Sequence, residues 1–172
     1  MRASLLLLLP AVRSFAPPAL LRPSPASLLV RPMSNAPVNA PDYKRKKGVS
    51  SPEELRAFVA SAGADLIVVD ARNPDFSLEP GDAKSSEKAP LAGTSAGYRP
   101  GAYNLPYDRV NSCMDLGLLP ERCGPDTPII SHCGGGGRGQ KAKDFLLANG
   151  YTNVLNGGGP EDAECWHQFG DK

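Results

Sequence analysis

The stretch of this sequence best suited to chemistry surrounds Cys133, which follows Ser131 and His132 and precedes four consecutive glycines and Arg138. A glycine-rich loop can turn several backbone N–H groups toward one point, because no side chains block them. A helix is predicted over 140–149, and its N-terminus adds positive potential to the loop. These features favour an anion at Cys133, and a cysteine thiolate is both an anion and a nucleophile.

The elements that would position this loop predict an α/β fold with a parallel sheet. Apolar runs end near Asp70 and Ser131, and such runs are typical of strands buried on both faces of a sheet. A serine, a proline and a glutamate at 51–54 predict the start of a helix that ends at Gly63. Strands and helices alternate from there to the end of the chain. The further predicted elements are a short strand within 97–106, a strand over 151–156 and a helix that begins at Glu161.

Two segments carry weaker patterns. Residues 75–97 are rich in Pro, Gly, Ser, Lys and Glu, with Leu78 and Leu91 as their large aliphatic residues, which predicts a mobile excursion without much core. Residues 107–114 are predicted to form a short helix.

Composition limits the possible classes of protein. A chain of 172 residues with 41% apolar and 22% charged residues fits one ordinary domain plus an extension. The first 41 residues hold four of the 19 basic residues and no acidic residue, so 15 basic against 18 acidic residues remain, a charge of about −3. This balance argues against nucleic acid as a partner. Four cysteines without a C-x-x-C pair argue against a disulfide scaffold or a structural zinc site, and no metal or cofactor is predicted.

The N-terminal segment has the composition of a targeting sequence. The apolar run Leu5 to Leu9 ends at Pro10, which is far short of the roughly 20 residues that span a bilayer, so no membrane anchor is predicted. Spaced arginines, Ser, Ala and Pro without acids are typical of organelle transit peptides, with a plastid favoured over a mitochondrion and a secretory signal as the competitor. The predicted organisation is a leader over 1–41, a basic linker over 42–49 and a folded domain over 50–172.

Several landmarks occur in an order that resembles the single-domain rhodanese family of sulfurtransferases. The strand end Asp70-Ala71-Arg72 is similar to the family's Asp-x-Arg, and residues 97–106 are similar to its Gly-His-Ile-Pro-Gly-Ala-x-Asn-Ile-Pro segment. Cys133 to Arg138 resembles the six-residue catalytic loop, and residues 154–166 resemble its closing strand, glycine pair and tryptophan helix. The resemblance implies a rhodanese-like three-layer fold, in which helices flank a central, mainly parallel sheet.

The resemblance implies that Cys133 takes a sulfane sulfur from a small, thiosulfate-like donor and passes the persulfide sulfur to a thiophilic acceptor. The acceptor would be a thiol or cyanide, with thioredoxin or glutathione as candidate partners. Arg138 would bind an anionic donor or tie the loop to a neighbouring carboxylate. The predicted substrate-binding residues are Asp70, Arg72, Gly134, Gly135, Gly136, Gly137 and Gly139, although Asp70 and Arg72 are better explained as a structural ion pair near the site.

Two other functions remain open at this stage. Cysteine-based phosphatases and arsenate reductases place five residues between cysteine and arginine, whereas four glycines stand here, and a smaller ring suits one sulfur better than a phosphate. The family commonly has arginine where Gly134 stands and serine where Gly139 stands. These departures leave open a rhodanese-like binding module without turnover.

The remaining polar candidates each have two interpretations. Tyr98 and Arg99 stand where the family has His-Ile, and they would line the entrance or pack in a turn. His132 is interpreted as a core or supporting residue in preference to an acid–base catalyst. Cys165 would be a core thiol or a thiol that receives the persulfide sulfur.

Overall fold

The computed structural model describes residues 45–93, Arg99 and 101–172. The predicted leader over 1–41 and Tyr98 lie outside these residues. The helices are α1 (Pro52–Ala62), α2 (Pro80–Lys88), α3 (Gly137–Ala148) and α4 (Ala163–Phe169). The strands are β1 (Ile67–Asp70), β2 (Ala102–Asn104), β3 (Ile129–His132) and β4 (Val154–Asn156).

These strands form one parallel sheet in the order β2-β1-β3-β4. The register places Asp70 opposite both Asn104 and His132, and Ser131 opposite Asn156. The strands therefore end at one edge of the sheet, where ligands of open α/β sheets are bound. The predicted α/β class with a parallel sheet is confirmed.

Each face of the sheet is covered by helices, because successive strand residues point to opposite sides. Val68 and Ile130 pack with Leu55 of α1 and Phe169 of α4. The opposite face carries Val69 and Ile129 against α3, whose contribution is Ala142 and Leu146. All of these side chains are almost fully buried. The arrangement is the expected three-layer fold.

Local signals in the sequence identify α1 correctly. The Ser51 hydroxyl accepts from the Glu54 N–H over 3.1 Å, and the Glu54 carboxylate accepts from the Ser51 N–H over 2.8 Å. This capping box satisfies backbone groups at the helix start. Gly63 follows the last helical residue, as predicted.

The prediction of an excursion without much core over 75–97 is wrong for its described central part. Residues 80–88 form α2, which buries Asp82 and Ser85. Leu91 and Ala92, which follow the helix, are also buried. Apolar periodicity could not reveal this helix, because the residues it buries within its own length are Asp82 and Ser85.

The predicted helix over 107–114 is also wrong. Asp108 and Cys113 form an antiparallel bridge with N–H···O distances of 2.9 and 3.3 Å, and the Asp108 carboxylate accepts from the N–H groups of Val110 and Asn111. An aspartate that binds nearby N–H groups stabilises a turn in place of a helix.

Two predicted helices begin at other residues than expected. Helix α3 begins at Gly137, inside the cysteine loop, and α4 begins at Ala163 after the cap Asp162.

Candidate active site

Cys133 lies directly after β3, at the edge of the sheet where the strands end. Its side chain is largely buried, with 5% of its surface exposed, and the Gly136 N–H donates to Sγ over 3.2 Å. The Cys133 N–H donates to the Gly158 carbonyl over 3.0 Å, which ties the loop to the glycine segment after β4. The thiol is therefore held beside the N-terminus of α3.

The loop conformation requires glycine at Gly136, the N-cap of α3. Its φ of +92° lies in the left-handed region, and a Cβ there would come within 2.5 Å of Val49 Cγ2 and 3.1 Å of Gly158 Cα. The Gly136 carbonyl accepts from the Asn156 side-chain amide over 3.1 Å. Strand β4 thus fixes the turn that aims an N–H at the sulfur.

Arg138 is engaged by a carboxylate from α2. Its Nη1 donates to Asp82 Oδ2 over 2.6 Å, and Nη2 binds Asp82 Oδ1. Arg138 is 7% exposed and Asp82 is 1% exposed. Burial opposes the charge of Arg138, but the hydrogen bonds and negative charge of Asp82 outweigh it and raise the pKa of the guanidinium. The geometry is the bidentate pairing in which arginine binds carboxylates most strongly.

Asp70 and Arg72 form a second buried pair, which joins the sheet to α2. The Arg72 Nε–Oδ1 distance is 2.9 Å and the Nη2–Oδ2 distance is 2.7 Å. Arg72 also donates to the carbonyls of Ala89 and Pro90 over 2.8 and 3.0 Å. The guanidinium of Arg72 thus donates to the Asp70 carboxylate and to backbone carbonyls, and its side chain is fully buried.

Arg99 and His132 complete this buried network. The Arg99 guanidinium lies 3.6 Å from Asp70 Oδ2, 2.9 Å from His132 Nε2 and 4.9 Å above the Trp166 ring. Arginine can only donate, so His132 Nε2 accepts, and its Nδ1–H donates to the Cys133 carbonyl over 3.2 Å. Arg99 is therefore a packed residue of the interior and does not line an entrance.

The ionisation of this network is set by burial and by its neighbours. Burial and the nearby arginines lower the pKa of His132 to about 3, although Asp70 favours its charge, so the imidazole is neutral at physiological pH. Burial alone would raise the pKa of Asp70, but His132, Arg72 and Arg99 outweigh burial and lower it to about 2. The sheet edge beneath the cysteine thus holds an ionised carboxylate and a neutral histidine.

A cavity of about 190 Å³ opens over the cysteine loop. Its charged lining consists of three cation–carboxylate pairs: Arg138 with Asp82, Arg109 with Glu79 at 3.0 Å, and Lys46 with Glu161 at 4.0 Å. Its other lining residues are Gly81, Cys133, Gly134, Gly135 and Gly137. The cavity therefore brings the thiol, the loop glycines and matched charges to one place.

The two loop departures from the family pattern have local explanations. A Cβ on Gly134 would lie 3.0 Å from Ser85 Cβ and 3.1 Å from Glu161 Oε1. A Cβ on Gly139 would lie 2.6 Å from Asn156 Oδ1 and 3.1 Å from His132 Cα. The contact at Gly139 is shorter than Cβ atoms accept, and those at Gly134 are tighter than most, so residues of α2 and β4 restrict the space for larger side chains.

The structure brings most of the predicted site residues together but distributes them between two layers. The cavity contains the thiol, Arg138 and the glycines at 134, 135 and 137, while Gly136 and Gly139 support the loop from behind. Asp70 and Arg72 lie beneath the loop in the buried network and do not line the cavity.

Sequence reasoning missed the polar residues contributed by other segments, which are Lys46, Glu79, Asp82, Arg109 and Glu161. One signal was available for α2: Pro80 at a helix start and Lys88 in the last turn. No local pattern marks the partners of Lys46 or Arg109, because those pairs are distant in sequence.

All four cysteines are free thiols. Cys165 is fully buried on α4, and its Sγ lies 3.4 Å from the Ser50 carbonyl oxygen. Burial, together with Asp162, raises the pKa of Cys165 to about 12. Cys165 therefore packs as a core thiol, as the first of its two interpretations predicted. Among the described residues, no group of His, Cys, Asp and Glu could hold a metal ion, and no helix could cross a membrane.

The fold and the site together are a parallel α/β sheet with a largely buried cysteine in a glycine loop at a helix N-terminus. The family model of the Rhodanese-like domain matches residues 51–161, which is more than half of the chain. The chain belongs to this family, and the resemblance in the sequence is confirmed.

Comparison with solved structures and curated proteins adds little to this assignment. A structure described as "Atomic resolution structure of uncharacterized protein from Saccharomyces cerevisiae" is 22% identical, with a TM-score of 0.42 over 71% of this chain and 92% of that chain. No curated protein matches significantly.

Proposed function

We propose that the protein is a sulfurtransferase that carries sulfane sulfur on Cys133. The observation that carries this proposal is the position of Sγ, which receives the Gly136 N–H over 3.2 Å in a cavity lined by further loop glycines. An N–H donor at this point stabilises negative charge on the attacking sulfur. The same environment favours the anionic persulfide that the reaction forms.

The proposed reaction has two transfers of one sulfur atom. The Cys133 thiolate attacks the outer sulfur of thiosulfate; a new S–S bond forms, the donor's S–S bond breaks, and its electron pair leaves with sulfite. An acceptor thiolate then attacks the outer sulfur of the Cys133 persulfide, which regenerates the Cys133 thiolate. Sulfur, electrons and charge balance in both steps, and neither step requires a cofactor.

Matched cysteine variants test this proposal. Incubation of the purified protein with thiosulfate, followed by intact mass measurement, is expected to show an addition of about 32 Da, the mass of one sulfur atom. Cys133→Ser should abolish the addition, while Cys113→Ser, which changes a loop cysteine, should retain it. The proposal fails if no addition occurs or if the addition persists in Cys133→Ser.

A binding module without turnover is the second candidate, because the loop arginine is already engaged. Arg138 forms its bidentate pair with Asp82, and Gly134 stands where many family members have arginine. Release of sulfite without transfer to glutathione, thioredoxin or cyanide would favour this candidate. Turnover of an aryl phosphate, measured in parallel, would instead favour a cysteine phosphatase.

We also propose that residues 1–41 direct the protein to an organelle, with the plastid ahead of the mitochondrion. The support is compositional: spaced arginines, Ser, Ala and Pro, without acidic residues. A fluorescent reporter fused behind these residues should accumulate in the organelle. Diffuse cytosolic fluorescence would contradict this proposal.

A further inference from the structure

We infer that Lys46, with Arg109 as a second cation at the same cavity, binds the anionic part of the sulfur donor beside Cys133. The inference rests on the proposed function and names the donor class: a small anion whose charge adjoins the transferred sulfur. Lys46 precedes the part of the chain that matches the family, residues 51–161, so the family match assigns it no role.

The loop itself has no cation to spare for a donor. Residues 134–137 are all glycine, and Arg138, which follows them, has both terminal nitrogens on Asp82 in a buried pair. Releasing Arg138 would leave a buried carboxylate without its partner, which is a costly state. A donor's negative charge must therefore be met by groups from outside the loop.

Lys46 lies close enough to the loop to meet that charge. A Cβ built on Gly135 would lie 2.8 Å from Lys46 Nζ, so the ammonium group lies near the loop, beside the Glu161 carboxylate, which is nearer still to that point. Both Lys46 and Cys133 line the same cavity. The ammonium group is thus positioned at the mouth of the site.

The present partner of Lys46 holds it only weakly. The Nζ–Oε2 distance to Glu161 is 4.0 Å, and 60% of the Lys46 side chain is exposed. Exposed ion pairs at such distances contribute little, because water competes with them. Lys46 can therefore turn from Glu161 to a donor anion, which Arg138 cannot do.

The backbone around Lys46 is nevertheless anchored. Arg45 Nε lies 3.4 Å from Asp162 and its Nη2 lies 3.1 Å from Glu164, which fastens the segment to α4. The Val49 N–H donates to the Lys46 carbonyl over 3.1 Å. A lysine on a held backbone retains a mobile ammonium group near the thiol without leaving the site.

Arg109 lines the same cavity and is also exposed, but its carboxylate partner lies closer to it than Glu161 does to Lys46. Its Nε lies 3.0 Å from Glu79 Oε1, and 54% of its side chain is exposed. It lines the cavity with Cys133. Two exposed cations at one cavity would recognise a compact dianion such as thiosulfate.

Two alkylating reagents of similar size measure this attraction without sulfur transfer. Iodoacetate is anionic and iodoacetamide is neutral, and both transfer a carbon to the Cys133 thiolate with loss of iodide. The ratio of their rate constants at Cys133, followed on the peptide that contains it, reports the local charge.

Lys46→Gln should lower the iodoacetate-to-iodoacetamide ratio about threefold, as loss of one nearby partly exposed charge predicts. Lys47→Gln, an adjacent exposed lysine outside the cavity, is the matched control and should leave the ratio unchanged.

Sulfur-transfer kinetics provide the second measurement. Lys46→Gln should raise the KM for thiosulfate about three- to tenfold with little change in kcat, because it removes binding common to ground and transition states. Arg109→Gln should shift both readouts in the same direction. Arg122→Gln, which changes an exposed arginine outside the cavity, should shift neither.

The outcomes separate this inference from the proposed function. A Lys46→Gln ratio equal to that of wild type or Lys47→Gln overturns the role of Lys46, and so does a fall in kcat at unchanged KM. An Arg109→Gln protein that behaves like Arg122→Gln overturns the role of Arg109. If thiosulfate does not load wild-type Cys133 at all, the proposed function fails, and the alkylation ratio still decides whether Lys46 draws anions to this thiol.

Discussion

The pair between Arg138 and Asp82 offers the sharpest test of how the cysteine loop is held. Asp82→Asn keeps the shape of the side chain, including an oxygen for the Asn73 N–H that now donates to Asp82 over 2.8 Å, but removes the charge. Arg138, which is 7% exposed, then remains as a nearly buried cation without its carboxylate. The substitution therefore isolates the electrostatic part of the contact.

The expected loss is large for one side chain. Removing one member of a buried ion pair costs about 3–5 kcal/mol, and the cavity next to Arg138 lets water reach the guanidinium, so the lower limit of about 3 kcal/mol applies. With a urea m value of about 1.5 kcal/mol/M, the unfolding midpoint should fall by about 2 M. Asp171→Asn, which removes a well-exposed carboxylate, should leave the midpoint unchanged within error.

A double-mutant cycle attributes the loss to the pair itself. Arg138→Met in the Asp82→Asn background removes the uncompensated cation, so the two changes together should cost about 2 kcal/mol less than the sum of the single changes. Equilibrium urea unfolding, monitored by Trp166 fluorescence, measures all four proteins. Additive losses, or a midpoint for Asp82→Asn within about 0.5 M of wild type, would refute the assignment of Arg138 to a structural pair.

Three further predictions concern the residues around the thiol. The pKa of His132 is about 3 in the native protein against about 6.5 in an unfolded chain, so the free energy of unfolding should fall as the pH drops from 6.5 toward 3. His132→Asn should flatten that fall by up to about 1.4 kcal/mol per pH unit. An unchanged pH slope would contradict this prediction. Gly139→Ala should destabilise the protein by about 1–3 kcal/mol through overpacking. Gly137→Ala, where a Cβ meets nothing within 4 Å, should be neutral or stabilising. Equal urea unfolding midpoints for the two variants would contradict the close contact at Gly139. Cys165→Ala should leave the sulfur loading of Cys133 unchanged by mass, whereas lost loading in a folded protein would mean that the buried thiol takes part.

Local patterns in the sequence were sufficient for the elements that carry the thiol. The capping box at Ser51 marks the start of α1, and the apolar runs that end near Asp70 and Ser131 mark strands covered on both faces. Cys133 between such a strand and a helix predicts the N-terminal environment of its sulfur. These features depend on neighbours within a few residues along the chain, so a single sequence is enough to predict them.

Only the tertiary structure decided which charged groups meet at the loop. Helix α2 is polar and has no apolar stripe, and its burial follows from Asp82 binding Arg138 and from Arg72 binding the backbone beyond the helix. The two possible roles of Arg138, donor binding or a tie to a carboxylate, could not be separated before Asp82 was placed.

The same limit applies to Lys46, which in the sequence is one lysine of a basic run. Lys46 lies near Gly135, and its neighbour Arg45 binds Glu164 of α4, a residue more than a hundred positions away. Ion pairs at such separation leave no periodic signal, because charge attraction requires proximity in space and no particular spacing along the chain. The sequence thus determined the candidate cysteine and its glycine loop, whereas the fold determined the charges that surround them.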